Sequence, residues 1–512
     1  MNVEPIGILV AIVGIYAMFA GLKVGAYVLC FSALLGAAAA IIITALGGAS
    51  VQPAHFSLLF LSLGVLLRPK TLSAALSCLA FPGPGFWFLL FTLYSVLTAV
   101  FLPRIFEGAT LVYAFARDTE MQSIIAVPIS PQTGNVTQAV YMLGGLVCFA
   151  IVAGFGRLGG SPIFARALVF TGALCVFFAI ADVVTYLTDS GELLAIIRNA
   201  NYRMLNEGEV GDFKRIVGSF PEASAYGYTA LALFAFILIL NLEGFPARHT
   251  GLVAAALAIS LVLCTSTTAY VAGAATVMIV LAYCFVRIWQ RQATGQHFKF
   301  IATCLIVLPL LVMLTMMNSA LRESFTELMQ ATVMTKLESD SGLERMRWNA
   351  QAFEVFLATD GMGAGLGSVR ASSFVIALLA SVGVLGTALF CIFFGSLTFA
   401  VLRRPNRPRV DMAVGYAALL SCVAQLLAAV ISAGAIDLGL VFCISAGLAC
   451  AYGAGELPEA GRAHNEGALP LSALPASRFS QFLATTALMW RRSAFGEGRF
   501  AAPPRKGLVS HA

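Results

Sequence analysis

Long apolar runs, each close to the length that crosses a lipid bilayer, occupy most of this 512-residue sequence. The chain is 59% hydrophobic and only 11% charged, whereas soluble domains carry about 25% charged residues. Lipid admits only helices and closed barrels, because every backbone polar group must be paired within the protein. The runs do not alternate with a period of two, which excludes a barrel. The sequence therefore predicts an all-α polytopic membrane protein.

We predict about 12 to 13 transmembrane helices of roughly 20 residues each. Their approximate cores are 6–22, 24–46, 54–68, 86–102, 138–156, 164–187, 223–241, 249–265, 269–289, 299–317, 373–402, 411–430 and 436–453. The third span is short and residues 71–82 are ambiguous, which leaves the count open at that point.

Basic residues in the short loops predict the orientation, because Lys and Arg accumulate on the cytoplasmic side. They are Lys23, Arg68, Lys70, Arg157, Arg166, Arg248, Arg287, Arg291, Lys299, Arg403, Arg404, Arg407 and Arg409. All fall on one side, the cytoplasmic one, if the N-terminus lies outside. Residues 1–453 then form the membrane domain. Residues 454–512 form a cytoplasmic tail whose Pro, Gly, Ala and Ser content predicts disorder.

Composition argues against a metal, a cofactor or a nucleic-acid partner. The eleven cysteines lie in apolar runs without a C-x-x-C pair, so we interpret them as small apolar residues. Basic residues are dispersed or juxtamembrane, which indicates contact with membrane lipid and not with nucleic acid. The glycine cluster 363–367 is not a dinucleotide fingerprint, since no strand precedes it.

Three longer segments lie outside in this topology, at 103–137, 188–222 and 318–372, and an enzyme would carry its chemistry there. In the last of them, Ser341 and Glu344 have the spacing of a capping box, which predicts a helix that begins beside Ser341. One face of this helix is apolar and is predicted to lie on protein or on the membrane surface. That face comprises Leu343, Met346, Ala350, Phe353 and Leu357.

Two arginines of this helix receive different interpretations. Arg347 shares a polar face with Glu344 and Glu354, so an ion pair is the simplest explanation, with substrate binding as the alternative. Arg345 has no acid on its own face and lies beside Trp348. Its planar guanidinium group suits a bidentate contact to phosphate. Arg345 is therefore the stronger candidate for binding a diphosphate.

The loop 188–222 ends in a second candidate anion site. Ser219 and Glu222 again have capping-box spacing and would open the span 223–241. The N-terminus of that helix would direct free N–H groups and a positive dipole end toward the outer side of the membrane. Lys214 and Arg215 lie just before it, and together these groups would bind an anion. Glu222 is interpreted either as a catalytic carboxylate or as a cap only. Lys214 either binds substrate or is a lysine that reaches the membrane interface.

Buried or uncharged polar residues give two further candidates. Asp182 lies inside its predicted span, where a carboxylate is unfavourable and usually functional, and it is our second candidate catalytic acid. The turn Thr265-Ser266-Thr267-Thr268 either binds sugar through its hydroxyls or satisfies interhelical backbone groups.

Three stretches together resemble the O-antigen ligase and polymerase family. Arg345-x-x-Trp348, followed by Phe356 and Gly361-x-Gly363-x-Gly365, is similar to the family's arginine–tryptophan–glycine signature. Arg215-x-x-Gly218-x-Phe220-x-Glu222-x-Ser224 is similar to the family's element before a middle span. The stretch Cys264 to Tyr270 is similar to its short serine/threonine turn.

The resemblance implies a metal-independent glycosyltransferase with a GT-C-like fold and long periplasmic loops, which acts on glycan linked to undecaprenyl diphosphate. It implies a location in the bacterial inner membrane, so that the N-terminus predicted to lie outside would be periplasmic. It implies that Arg215 and Arg345 bind the donor phosphates and that Glu222 is the family's acid. The further predicted substrate-binding residues are Arg347, Lys214, Trp348, Gly363 and Gly365.

One departure separates the possible activities. Ligases of this family place a histidine in the long loop after the glycines, whereas 318–372 contains none. This favours a polymerase that joins repeat units into exopolysaccharide or O-antigen, with a chain-length regulator and a flippase as expected partners. The alternatives are an O-antigen ligase that transfers glycan to lipid A-core and a lipid-linked oligosaccharide flippase.

Overall fold

The computed structural model describes residues 2–44, 48–113, 126–201, 204–205, 208–210, 213–317, 322–323, 326, 330, 339–403 and 408–454. The chain divides into two units, Met1–Glu466 and Gly467–Ala512, and every described residue belongs to the first. The predicted disorder of the C-terminal tail therefore falls outside the described residues, beyond Ala454.

Helices make up most of the described chain. They are α1 (Pro5–Ala20), α2 (Leu22–Ser32), α3 (Pro53–Leu66), α4 (Pro69–Cys78), α5 (Pro84–Ile105), α6 (Thr133–Phe155), α7 (Ser161–Leu187), α8 (Ala223–Leu242), α9 (Thr250–Leu263), α10 (Thr267–Trp289), α11 (Gly295–Ala302), α12 (Leu308–Met317), α13 (Asp340–Ala358), α14 (Phe374–Leu402), α15 (Arg409–Ser432) and α16 (Leu440–Ala454). Single π-helical turns join α6 to α7 and α11 to α12, and a 3-10 helix spans Gly191–Ile197. Several helices begin at a proline, whose fixed φ suits the first turn.

Short antiparallel strands pair in the connections. β1 (Asn2–Val3), β2 (Ile41–Ile43) and β3 (Ala49–Val51) form one sheet in that order. β4 (Leu111–Tyr113) pairs with β5 (Ala126–Pro128), and β6 (Glu209–Val210) pairs with β7 (Phe213–Lys214). The predicted continuous span 24–46 is therefore wrong: its helix ends at Ser32, and the β-branched isoleucines that follow pair as a strand.

In the part of the chain that the structure describes, seven helices are long and apolar enough to cross a membrane, or eight if the pair α3 and α4, bent by 113°, forms one span. One of the seven, Thr133–Leu187, includes two of the predicted spans. Four further predictions correspond to shorter apolar helices, α1, α2, α9 and α16, of 11 to 16 residues. These fall short of the roughly 20 residues that a perpendicular span requires. The structure thus confirms an all-α polytopic membrane protein, with fewer full-length spans than the sequence predicted.

Helix α8 occupies the centre of the bundle. It packs against α15, α9, α10 and α7, and 89% of the residues in its most apolar 18-residue stretch are buried. The segment Gly295–Met317 is the opposite extreme, because no residue of its most apolar 18-residue stretch is buried in the protein. Residues at the two ends of α8 are therefore held by the whole bundle, and the candidate site lies at its N-terminal end.

Candidate functional site

The loop before α8 folds around the carboxylate of Asp182, which projects from α7 and is completely buried. Its Oδ1 accepts hydrogen bonds from Arg198 Nη2 at 2.6 Å and Lys214 Nζ at 2.8 Å. Its Oδ2 accepts from the amides of Val217 at 2.8 Å and Gly218 at 3.1 Å. With both oxygens occupied by such donors, Asp182 orders the loop, and this arrangement favours a positioning role over the predicted catalytic one.

Sequence analysis missed Arg198, although a signal for it exists. A carboxylate inside an apolar span requires a cationic partner, and the neighbouring loop supplies two. Arg198 donates to Asp182 and also, through Nε, to the carbonyl of Gly218 at 3.1 Å. Its side chain is 8% exposed, so the pair is shielded from water.

Lys214 belongs to the same buried cluster. Its ammonium group pairs with Asp182 and lies 4.7 Å from the ring centroid of Tyr186. This contact with the core differs from both interpretations of the sequence, the interfacial lysine and the substrate-binding lysine. The lysine instead fixes strand β7 against α7.

Arg215 follows Lys214 directly, and its side chain has a different environment. Successive side chains of an extended backbone point to opposite faces. The Nε of Arg215 is buried and has no hydrogen-bond partner among the described residues. Burial lowers the pKa of the Arg215 guanidinium, the Glu222 carboxylate raises it, and the charge of Arg345 lowers it again. Glu222 and Arg345 thus both lie within electrostatic reach of Arg215.

Helix α13 presents Arg345 to the protein and Arg347 to the outside. Ala352 and Val355, on the same stripe as Arg345, are completely buried, and Arg345 is half-buried. Arg347 is exposed and makes no ion pair with Glu344 or Glu354, since the ion pairs in the described part of the chain lie elsewhere. The ion-pair interpretation of Arg347 is therefore wrong.

The apolar face of α13 is exposed, which agrees with the membrane-surface alternative and not with packing on protein. Its large members are Leu343, Met346, Phe353 and Leu357, which are 41% to 59% exposed. The helix begins at Asp340 after the cap Ser339, whose hydroxyl accepts from the Gly342 amide at 3.2 Å. The predicted cap, Ser341, is wrong by two residues, because the helix begins before it and Ser341 lies in the first turn.

Trp348 and Asn349 fasten α13 to the segment that follows the glycines. The guanidinium carbon of Arg370 lies 4.2 Å above the ring centroid of Trp348. The amide of Ser372 donates to Asn349 Oδ1 at 2.8 Å. Trp348 therefore has a structural contact on its protein-facing side, one that the sequence did not indicate.

Gly363 and Gly365 dock the base of α13 onto the membrane helices. Helix α14 is interrupted at Gly383 (φ 64°, ψ −164°). The carbonyls of Ala380 and Ser381, just before that break, accept hydrogen bonds from Ala364 at 2.8 Å and Gly365 at 2.9 Å. The glycine loop thus donates hydrogen bonds to the carbonyls at the break in α14.

Only glycine fits at these two positions. Both have positive φ, 83° at Gly363 and 96° at Gly365. A Cβ would lie 2.8 Å from the Ser381 carbonyl carbon at Gly363 and 2.6 Å from the Thr98 oxygen at Gly365. Their amides donate to Thr359 Oγ1 and to Ser381, so neither is available for an anion. We infer that they position Arg345, in place of the predicted substrate contact.

Glu222 is the N-cap of α8, but its side chain caps nothing. No capping hydrogen bond is present, and the Ser224 hydroxyl donates to its Oε1. The predicted capping box is wrong, because the Ser219 hydroxyl donates instead to the Leu34 carbonyl at 2.6 Å. The helix begins at Ala223. The half-buried carboxylate interacts electrostatically with Arg215, which disfavours the interpretation of Glu222 as a cap only.

The turn between α9 and α10 completes this group. Cys264 and Tyr270, on either side of the turn, lie close enough to Arg215 to contribute to the shift in its pKa. Thr265 has φ 47°, and its buried Oγ1 has no hydrogen-bond partner among the described residues. We call Arg215, Glu222, Thr265 and Arg345 the arginine site. Within the described ranges, no three His, Cys, Asp or Glu residues converge as a metal site would require.

No protein-family model matches the sequence, and no curated protein is significantly similar to it. The resemblance to the O-antigen ligase and polymerase family therefore stays a prediction from the three motifs. Two of those motifs nevertheless supply the two arginines that lie within electrostatic reach of each other.

Proposed function

We propose that this protein is a membrane glycosyltransferase that polymerises oligosaccharide units carried on undecaprenyl diphosphate. The observation that supports this most strongly is the electrostatic proximity of Arg215 and Arg345, which come from different loops. Two guanidinium groups repel each other, and burial of Arg215 adds a desolvation cost. A bound diphosphate would neutralise both.

The surroundings favour an anion over an internal counter-ion. Asp182 is already occupied by Arg198 and Lys214, so it does not neutralise Arg215. Among the described residues, Glu222 is the carboxylate whose charge acts on Arg215. The N-terminus of α8 adds backbone N–H groups and a positive dipole end beside Glu222.

The reaction uses the arginines and the carboxylate separately. The hydroxyl oxygen of the acceptor sugar attacks the anomeric carbon of the donor, and the bond from that carbon to the diphosphate oxygen breaks. The lipid diphosphate leaves with the electron pair, and Arg215 and Arg345 stabilise its growing charge. Glu222 accepts the hydroxyl proton. The Asp182 cluster orders the loop that carries Arg215, and the glycine loop anchors the helix that carries Arg345.

The test compares two arginines on one helix. Arg345→Ala should lower the rate of polymer formation by about 10²–10³, the cost of losing one preorganised contact to a developing oxyanion. Arg345→Lys should restore little, because lysine lacks the planar fork. The matched control is Arg347→Ala, which removes an exposed arginine of the same helix.

The assay uses the full-length protein in nanodiscs with lipid-linked oligosaccharide extracted from the native host. Polymer is measured on gels alongside the protein level. Wild-type activity in Arg345→Ala, or an equal loss in Arg347→Ala, would refute the assignment of the diphosphate to the arginine site.

A further inference from the structure

A cavity of about 510 Å³ opens beside the N-terminal end of α8. Its size falls within the range of small-molecule sites in proteins. Residues from five parts of the chain line it, including Gln52, Phe220, Tyr228, Thr229, Gln425 and Gly434. Tyr228 closes one wall by donating a hydrogen bond to the Leu438 carbonyl at 2.9 Å. We call this space the neutral cavity.

Gln425 is the feature of the neutral cavity that indicates a ligand. It lies on α15 about two turns before the helix ends, and it is completely buried. Neither its Nε2 nor its Oε1 has a hydrogen-bond partner among the described residues. A buried amide without partners costs about 1–3 kcal/mol for each unsatisfied group. The occupant of this cavity should therefore offer both a donor and an acceptor.

The other lining residues narrow the class of ligand. Among the described residues that line the cavity, none is charged. An ionic ligand would be buried here without a counter-ion, which is strongly unfavourable. A hydrocarbon chain would leave the Gln425 amide unpaired. An uncharged sugar fits both conditions, since its hydroxyls donate and accept and its C–H face can contact Phe220.

The position of the cavity connects it to the arginine site. Phe220 and Pro221 line the cavity immediately before Glu222, and Ala225 lines it immediately after the first turn begins. The same Glu222 carboxylate interacts with Arg215. Glu222 therefore adjoins a cationic site and an uncharged cavity.

We propose that the neutral cavity binds the uncharged, non-reducing end of the acceptor oligosaccharide through Gln425 and presents its hydroxyl to Glu222. This inference rests on the proposed function and names a substrate site within it. The arginine site then holds the donor diphosphate, and the two ligands meet at the start of α8.

The experiment measures binding of an acceptor that carries no diphosphate. Mild acid releases the oligosaccharide from the lipid-linked intermediate of the native host, and tritiated borohydride labels its reducing end. Wild-type protein in nanodiscs should bind this probe. Gln425→Leu should bind it at least about tenfold more weakly, because the ligand loses its partner amide. Ala435→Phe, which narrows the cavity, should do the same without removing a polar group.

The matched control is Ser421→Ala. Ser421 is a buried polar residue one turn away on α15, and it accepts a hydrogen bond from Ser445 at 3.1 Å instead of lining the cavity. This variant and Arg345→Ala should bind the oligosaccharide as the wild type does.

Three results would overturn the inference: wild-type binding by Gln425→Leu, displacement of the oligosaccharide by undecaprenyl phosphate, and no binding to the wild type. The second would mean that the cavity holds the lipid chain, and the third that it holds water only. Failure of the diphosphate proposal would give a different result. Undecaprenyl diphosphate would then bind Arg345→Ala as well as it binds the wild type, while oligosaccharide binding would still depend on Gln425.

Discussion

Helix α8 has a glutamate at each end, Glu222 before its first residue and Glu243 after its last, and their surroundings differ. Glu243 is 1% exposed and accepts from Arg287 Nη2 at 2.7 Å and from the hydroxyl of Tyr283. His297 Nε2 lies 3.4 Å away. Burial alone would raise the pKa of the Glu243 carboxyl, but His297, Tyr283 and Arg287 together lower it. The charge at this end is neutralised within the protein.

At the N-terminal end, the charges are only partly matched. The Asp182 cluster is neutralised in the same way as Glu243, with both carboxylate oxygens occupied. The adjacent arginine site holds two cations against one carboxylate, with a buried Nε that has no partner in the described part of the chain. The comparison indicates that a buried charged residue alone does not identify a binding site in this protein. We expect a binding site where the fold does not neutralise the charge.

The largest expected effect concerns Glu222. Glu222→Gln keeps the shape and the hydrogen bond from Ser224 but removes the base, so transfer should fall by about 10²–10⁴. Binding of undecaprenyl diphosphate and the protein level should stay near wild type. Glu354→Gln, an exposed glutamate of α13, is the matched control. Normal polymer from Glu222→Gln would move the base to another residue.

The closed end of α8 should respond through stability and not through chemistry. Arg287→Ala would leave the Glu243 carboxylate buried beside a single histidine, a change that typically costs about 3–5 kcal/mol. Thermal unfolding of the purified protein should show a clear loss, with Arg248→Ala, an exposed arginine after α8, as the control. An unchanged melting temperature in Arg287→Ala would show that the ion cluster does not hold this end together.

Two consecutive residues provide a finer comparison. Lys214→Ala should destabilise the protein by a few kcal/mol, because it removes one partner of the buried Asp182. Arg215→Ala should change stability by about 1 kcal/mol or less in either direction, since the lost packing is offset by relief of the repulsion from Arg345. The same thermal unfolding experiment measures both. Equal destabilisation by the two variants would mean that Arg215 is structural.

The sequence predicted the class of fold and the placement of Arg345 and Arg347 on different faces of one helix. Both predictions depend on local properties, the length of apolar runs and the spacing of residues along a helix. It did not predict the interrupted span after Ser32, the partners of Asp182 or the role of the glycines. Each of these depends on contacts between distant segments, such as the glycine loop with the break at Gly383. The capping box at Ser219 failed for a related reason, because the Ser219 hydroxyl donates to the Leu34 carbonyl on another segment.

The neutral cavity was also beyond sequence analysis. Gln425 lies in an apolar helix where a lone amide has no pattern to distinguish it from a residue paired across helices. The packing of α15 against α8 and the turn after Ser432 is needed to show that this amide is buried and has no hydrogen-bond partner among the described residues.

The most direct measurement is the binding of tritiated undecaprenyl diphosphate, a ligand with no sugar, to the full-length protein in nanodiscs. Wild type and Arg347→Ala should bind with the same affinity. Arg345→Ala and Arg215→Ala should each bind about 10–100-fold more weakly, the usual cost of a lost hydrogen bond to a charged group. Undiminished binding by both variants, or an equal loss in Arg347→Ala, would contradict the claim that the unmatched charge at the start of α8 is a diphosphate site.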